Sequence, residues 1–275
     1  MTDPDFRSMM TLEPHGPDTF IGTGPRYPWG GLYGGQIIAQ ALRAAAFTVD
    51  PTYRLHSLHA YFIRLGDAAE PIRLEVDRIR NGRSFLTRRV VARQSVGAIL
   101  NMSSSFHVPE PGSEVQTENM PHVPAPEELR HDSWSPLMER RLLREDIAPG
   151  RIGAWMRLAE DLGDDPILNA CALAYLSDDL PTDAVVARHP NRPPRDAAER
   201  RFWNASLDHA IWFHRVTRSD EWHLHDFTCR GLVGTRGLSV GSIFDRAGRH
   251  VATVSQEALI RPIRAATAKT GQVQS

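Results

Sequence analysis

The amino-acid sequence predicts an α+β protein built from two similar units, each a buried helix followed by an antiparallel sheet. The chain has 275 residues, enough for one large domain or two mid-sized ones. An Ala-rich segment with apolar residues at helical spacing precedes four strand-like segments, and the same order of elements recurs in the second half. One helix followed by several strands with short turns is typical of a helix packed on a curved sheet.

The first unit opens with a short strand near Phe20, inside a region rich in Gly and Pro. A helix is predicted over 34–47, because apolar residues recur at helical spacing at Ile37, Ile38, Ala41, Leu42 and Ala45. Strands are then predicted over 53–65, 72–80, 84–93 and 98–108. The Asn81-Gly82 pair between the second and third strands is a strong hairpin signal.

The region after these strands is predicted to connect the two halves. Its prolines, at 109, 111, 121, 124 and 126, indicate an extended chain, and a short helix is expected over 136–146. We therefore expect an N-terminal unit at 1–110, a linker at 111–150 and a C-terminal unit at 151–275.

The second unit repeats the order of the first. Its helix is predicted to begin at Asp165-Pro166, because Asp is a good N-cap and Pro a good first helical residue. It continues to Ser177-Asp178, and Pro181 with the Pro- and Arg-rich run at 188–200 is predicted to end it. Strands follow over 203–215, 222–229, 234–244 and 251–260.

Four pairs of identical residues indicate an internal duplication. They are separated by 150, 151, 150 and 153 positions, and they are His59-Ala60 with His209-Ala210, Arg64 with Arg215, Arg80 with Arg230, and Pro109 with Pro262. Two similar sheets would pack as a pseudo-dimer, and the cleft between such halves is a natural place for a ligand.

The composition excludes several classes of protein. Lys plus Arg is 32 and Asp plus Glu is 33, so the net charge of -1 gives no reason to expect nucleic acid or an anionic membrane as partner. No CxxC motif and no zinc-ligand spacing occur, so neither a disulfide nor a metal is expected. The first ten residues lack the apolar segment of a signal peptide, and no membrane span is expected. We expect a cytoplasmic protein.

One motif indicates a serine hydrolase. Gly237-Leu-Ser239-Val-Gly241 matches the nucleophile elbow G-x-S-x-G, which requires a strand before the serine and a helix after it. Here another strand is predicted after it, and Asp245 and His250 follow too closely to lie on separate loops. A Gly-rich strand is the favoured interpretation.

Two further clusters allow a functional and a structural interpretation. His223 and His225 lie on one face of a predicted strand, where structural histidines are favoured over a metal site because no third ligand accompanies them. Gly34 and Gly35 fit no phosphate-loop pattern, but amides at a helix start can bind an anion or an oxyanion. Alternatively, these glycines let the helix approach the sheet closely.

Taken together, several segments resemble the type II acyl-CoA thioesterase family over about residues 15–262. These segments are Tyr33-Gly-Gly-Gln36, His56-Ser-Leu-His59-Ala-Tyr-Phe-Ile-Arg64, Arg80-Asn-Gly-Arg-Ser-Phe85, Asp164-Asp-Pro166, Leu173-Ala-Tyr-Leu-Ser-Asp178, Leu207-Asp-His-Ala-Ile-Trp-Phe-His-Arg215 and Val254-Ser-Gln-Glu257. The resemblance implies a double hotdog fold, in which each of two units wraps an antiparallel sheet around a long helix. It also implies an acyl-CoA substrate, no cofactor and a homo-oligomer.

The resemblance implies three catalytic residues in the second half. The family's aspartate falls on Asp178, its hydroxyl residue on Ser206 and its glutamine on Gln256, and a second aspartate, Asp179, stands beside the first. An aspartate can act as a general base toward water, while a hydroxyl and an amide orient that water. The helix start at Gly34 and Gly35 is a candidate oxyanion site.

Each of these residues also has a structural interpretation. Asp178 could end a helix, Ser206 could be an ordinary strand serine, and Gln256 could satisfy a buried hydrogen-bond network. A cluster at Arg80, Arg83, Arg88 and Arg89 suits the phosphates of CoA, but solvated strand ends are the favoured interpretation. Two other functions stay open, namely a hotdog hydratase acting on enoyl-CoA and a non-catalytic acyl-CoA sensor.

Overall fold

The computed structural model describes residues 5–143, 150–192 and 201–263. Within them, the helices are α1 (Phe6–Met9), α2 (Gly34–Ala46), α3 (Pro166–Ser177) and α4 (Pro181–Arg188), with a 3-10 turn at Pro126–Glu128. The two longer helices, α2 and α3, coincide with the two helices predicted from apolar spacing. None of the helices in these ranges is both long and apolar enough to cross a bilayer.

Strands occupy most of the remaining described chain. The first half contains β1 (Glu13–Pro14), β2 (Thr19–Gly22), β3 (Arg54–Phe62), β4 (Ile72–Asn81), β5 (Phe85–Gln94) and β6 (Gly97–His107). The second contains β7 (Met138–Leu142), β8 (Arg151–Leu158), β9 (Phe202–Ser206), β10 (Asp208–Phe213), β11 (His223–Val233), β12 (Arg236–Asp245) and β13 (His250–Pro262).

The described strands form one large antiparallel sheet. Its order is β1-β2-β4-β5-β6-β3-β10-β13-β12-β11-β8-β7, with β9 paired to β13. The central pair is β3 and β10, where Ala60 lies opposite His209 and Ala210 opposite His59. On each side of this pair the strands follow in equivalent order, so the two halves are related by an approximate two-fold axis between β3 and β10.

The two long helices pack against each other in opposite directions. Gly35 at the start of α2 lies so close to the end of α3 that an added Cβ would come within 2.3 Å of the Tyr175 carbonyl oxygen. At the other end of the pair, Arg43 of α2 forms an ion pair of 3.6 Å with Asp165, the N-cap of α3. The start of each helix therefore meets the end of the other.

The predicted repeat is one residue out of register in the central strands. His59 is exposed on β3, whereas its predicted counterpart His209 is fully buried on β10. Because side chains alternate between the faces of a strand, a shift of one residue exchanges the faces. The buried Leu58 is the true counterpart of His209, at the spacing of 151 that also separates Arg64 from Arg215.

Two secondary-structure predictions are wrong. The helix expected over 136–146 is instead strand β7 at 138–142, which pairs with β8, and residues 144–149 lie outside the described part of the chain. Pro181, expected only to end a helix, is the first residue of α4. Proline suits that position because a first-turn N–H has no intrahelical partner to lose.

The nucleophile-elbow alternative is excluded by the position of Ser239. This residue is fully buried in the middle of β12, opposite Cys229 on β11 and Gln256 on β13. The chain continues from it as a strand, so no strand–turn–helix presents its hydroxyl to a substrate.

Candidate active site

The candidate site lies where α3 ends against the start of α2. Asp178 is the residue that follows α3, and its carboxylate is almost completely buried. Burial raises the pKa of the Asp178 carboxyl from 3.8 to about 7, although hydrogen bonds from the Gly35 amide and the Ser206 hydroxyl oppose the rise. The group therefore exchanges a proton near neutral pH.

The three residues nominated from the sequence are brought together by hydrogen bonds. The Ser206 hydroxyl donates to Asp178 Oδ1 at 3.3 Å, and Gln256 Nε2 donates to Ser206 Oγ at 2.7 Å. Ser206 ends β9 and Gln256 lies on the neighbouring β13, so the sheet fixes both relative to the helix end. The amide of Gln256 also reaches Thr182 Oγ1, on the first turn of α4, at 3.3 Å.

A buried histidine orients the amide of Gln256. His209 Nδ1 lies 2.5 Å from Gln256 Oε1, and its Nε2 lies 2.9 Å from the Ser177 hydroxyl. Because Gln256 Oε1 can only accept, Nδ1 must carry the proton. Nε2 is then an acceptor for the Ser177 hydroxyl, whose proton is shared with the Ala174 carbonyl oxygen at 3.0 Å. Burial lowers the pKa of His209 to about 4, which keeps the ring neutral.

The result is a directed chain of four hydrogen bonds that ends on the carboxylate. It passes from Ser177 through His209, Gln256 and Ser206 to Asp178. Sequence reasoning did not nominate His209 or Ser177 for the site. The available signal was the position of His209 one residue after an aspartate in a conspicuous Asp-His segment, which was used to align the repeat and to support the family resemblance.

The glycines at the start of α2 permit the helix to approach the carboxylate. A Cβ on Gly34 would lie 2.5 Å from Asp178 Oδ2, so any side chain there would displace the acid. The Gly35 amide donates a hydrogen bond to the same carboxylate. Tyr33, the N-cap, makes no capping hydrogen bond with its side chain, so the first turn is available for partners from α3.

Asp179, the second candidate carboxylate, is occupied by other partners. Its Oδ2 accepts from Arg140 Nη1 at 2.8 Å and its Oδ1 accepts from Trp134 Nε1 at 2.5 Å. Both partners come from the segment between the two predicted units. This ion pair is nearly buried, so Asp179 connects that segment to the site, and its charge helps to raise the pKa of Asp178.

One member of each of two clusters singled out from the sequence is buried and bonded within the fold. Arg88 is buried and donates to Thr48 and to the carbonyls of Arg80 and Thr87. The interpretation of Arg88 as a contact for the phosphates of CoA is therefore wrong. His223 is buried and bonds Thr217 Oγ1 at 2.6 Å. No group of three or more metal-ligand side chains occurs within the described ranges.

Comparison with known proteins assigns the chain to one family. A family model for the N-terminal domain of acyl-CoA thioesterases matches residues 23–107, and the corresponding C-terminal-domain model matches residues 109–260. The chain belongs to the acyl-CoA thioesterase family. It is therefore a thioester hydrolase.

Relatives of this thioesterase cover nearly its whole length. Acyl-CoA thioesterase 2 of Haemophilus influenzae is 33% identical over 255 residues, covering 84% of this chain and 87% of the relative. Human acyl-coenzyme A thioesterase 8 is 31% identical over 289 residues, covering 92% of this chain and 88% of the relative.

Solved structures agree with the fold of this thioesterase. An acyl-CoA thioesterase II from Mycobacterium marinum is 36% identical, with a TM-score of 0.83, covering 95% of this chain and 99% of that one. This confirms the resemblance to type II thioesterases. A protein described as having a hot dog fold, from Alicyclobacillus acidocaldarius, is 18% identical with a TM-score of 0.79 over 94% of this chain and 98% of that one, and it shows the hotdog fold alone.

Proposed function

We propose that this thioesterase hydrolyses fatty acyl-CoA with a water molecule activated by Asp178, Ser206 and Gln256. The observation that carries the proposal is the hydrogen-bond chain from Gln256 through Ser206 to a carboxylate whose pKa is raised to about 7. A general base works best when its pKa lies near the operating pH, which makes Asp178 a suitable acceptor for the proton of water.

In the proposed reaction, water binds against the Asp178 carboxylate and attacks the thioester carbonyl carbon as Asp178 takes its proton. The tetrahedral intermediate then carries a negative oxygen. We place this oxygen at the first turn of α2, where Gly34 and Gly35 bring backbone amides to the site. Collapse of the intermediate breaks the carbon–sulfur bond, and the proton held by Asp178 is available for the departing thiolate.

Ser206 is proposed to orient the water, not to attack the thioester itself. Its hydroxyl donates to Asp178 and its oxygen accepts from Gln256 Nε2, so this oxygen already makes a hydrogen bond on its acceptor side. Direct attack would form an acyl-serine. Rapid mixing with excess decanoyl-CoA would then release a burst of thiol whenever deacylation is the slower step, and mass spectrometry of acid-quenched enzyme would detect the acyl adduct, which direct hydrolysis never forms.

The decisive experiment measures thiol release across short, medium and long acyl-CoAs for the wild type, Asp178→Ala and Gln256→Ala. We expect turnover by the wild type and a loss of roughly 10²–10⁴-fold in Asp178→Ala, which is the usual contribution of a general base. Binding of a non-hydrolysable acyl-CoA should persist in both variants. Unchanged rates in both would refute the site, and binding without turnover by the wild type would favour a sensor.

The symmetric strand order supports a finer proposal for the architecture. We propose a double hotdog, in which one unit contains α2 with β2 to β6 and the other contains α3 with β8 to β13. The proposed division remains 1–110, 111–150 and 151–275. A cytoplasmic location stays a proposal, and a homo-oligomer is proposed from the family resemblance. Light scattering coupled to size-exclusion chromatography would test the assembly.

A further inference from the structure

A cleft lies at the opposite end of the helix pair from Asp178. Its larger cavity, of about 360 Å³, and an adjoining one of about 170 Å³ share Arg54, Pro166 and Ile167 as lining residues. Pro166 and Ile167 form the start of α3, and Phe47 at the end of α2 lines the smaller cavity. The cleft therefore surrounds the start of α3, as the catalytic site surrounds the start of α2.

The approximate two-fold axis relates this cleft to the catalytic site. Phe47 follows α2 as Asp178 follows α3. Leu55 lies on β3 opposite β6, in the place that Ser206 has on β9 opposite β13. Both replacements are apolar, so the cleft has no carboxylate at the position of Asp178 and no hydroxyl at the position of Ser206.

The larger cavity is lined by apolar side chains together with two arginines and three histidines. Its lining contains no Asp or Glu side chain, whereas Arg54 and Arg215 both contribute. Arg54 is exposed and donates to the carbonyl of Pro51, and it has no carboxylate partner within the described ranges. Arg215 pairs at 2.6 Å with the exposed Glu114. Apolar walls are supplied by Leu55, Ile167, Ala170, Leu173 and Phe213.

The first-turn amides of α3 do not bind a ligand anion in this cleft. The carboxylate of Asp165 already accepts from the amides of Ile167 and Leu168, at 2.9 and 3.1 Å. A negative ligand group would therefore be recognised by the guanidinium groups, which bind carboxylate and phosphate through paired N–H donors.

We propose that this cleft is a second, non-hydrolytic binding site for an acyl chain that carries an anionic head group. The chain lies along the apolar walls of α3 and the central strands, and the head group binds Arg54. The volume of about 360 Å³ is within the usual range of small-molecule sites, roughly 300–1,000 Å³. Free fatty acid and acyl-CoA both have this chemistry.

The test counts ligands bound per chain by titration calorimetry. One probe is the thioether analogue of dodecanoyl-CoA, which cannot be hydrolysed, and the other is dodecanoate. We expect the wild type to bind two ligands per chain, and Arg54→Glu to weaken one of these sites about tenfold or more. Arg230→Glu is the matched control, because it makes the same charge change at an exposed position of β11 away from the cleft.

A second variant, Ala170→Trp, fills the cavity without changing charge and should also remove one site. Both cleft variants should keep kcat/KM for dodecanoyl-CoA at low substrate within about twofold of the wild type. Arg54-dependent binding of dodecanoate identifies a carboxylate ligand, and Arg54-dependent binding of the thioether alone identifies CoA as the head group.

A single site in the wild type with both probes would overturn the proposal. Equal stoichiometry and affinity in Arg54→Glu and Arg230→Glu would do the same. Neither result depends on turnover, so the outcome is separate from the proposed assignment of Asp178.

Discussion

Replacing Asp178 with asparagine should abolish hydrolysis and, at alkaline pH, stabilise the folded protein. The carboxyl is buried, and burial raises its pKa from 3.8 to about 7. A neutral asparagine can accept from the Gly35 amide with its oxygen and donate to Ser206 with its nitrogen. The variant therefore removes the buried charge and keeps most of the hydrogen bonds around it.

The pKa gives both the size and the direction of the effect. Since one pKa unit corresponds to about 1.36 kcal/mol, ionising Asp178 costs the folded state on the order of 4 kcal/mol relative to the unfolded chain. The cost is absent well below pH 3.8, where the carboxyl is protonated in both states. It grows as the pH rises from 3.8 to about 7, because only the unfolded chain has then released its proton. Asp178→Asn should gain up to about 4 kcal/mol over the wild type at pH 8, and almost nothing at about pH 3.

The assay is urea unfolding at a series of pH values, with thiol release measured on the same preparations. The neighbouring Asp179→Asn is the matched control. Its carboxylate forms a nearly buried ion pair with Arg140, so the same substitution should destabilise the protein by roughly 3–5 kcal/mol at pH 8. Two adjacent aspartates should therefore respond to one chemical change with opposite signs.

The reasoning would be refuted if Asp178→Asn were less stable than the wild type at pH 8, or if its stability difference did not change with pH. Retention of wild-type turnover by the same variant would separately contradict the role of Asp178 as the base.

Three further predictions concern the same site. For the wild type, log kcat/KM measured by thiol release should rise with pH on the acid side and reach a plateau above the Asp178 pKa of about 7. His209→Leu should lower kcat by about 5- to 150-fold, because an unpaired buried Gln256 oxygen costs roughly 1–3 kcal/mol. His209→Asn restores the N–H donor and should recover part of the rate. Equal rates in the two variants would contradict this role of His209. Gly35→Ala should lower the free energy of unfolding in urea, although Gly to Ala in a helix usually stabilises by about 0.5–1 kcal/mol, because its Cβ would lie 2.3 Å from the Tyr175 carbonyl oxygen.

The order of elements was predictable because local patterns determine it. The helix at 34–46 and the strand at 85–94 each follow from residue spacing or a turn signal that operates within a few residues. The strand at 138–142 did not follow, since its conformation depends on pairing with β8. No short-range pattern in the sequence contains that information.

The three proposed catalytic residues could be nominated by resemblance, but their hydrogen-bond partners could not. Asp178 and Asp179 are adjacent in the sequence, and only the fold separates them by giving Asp179 to Arg140 and Trp134. His209 was paired with the exposed His59 by a one-residue error in the repeat. The burial of that ring, which depends on the strand register, is what connects it to Gln256.

The difference between the two ends of the helix pair originates in how each helix begins. α3 begins with Asp165, whose carboxylate satisfies the first-turn amides within its own helix. α2 begins with Gly34 after a tyrosine that makes no side-chain cap, so its amides require an acceptor from elsewhere, and Asp178 of the other half supplies it. The first turn of α3 is thus capped from within α3, whereas the first turn of α2 is capped by a residue that follows α3. Only the second solution places a buried carboxylate beside Ser206, which is why we propose one catalytic site in a chain with two similar halves.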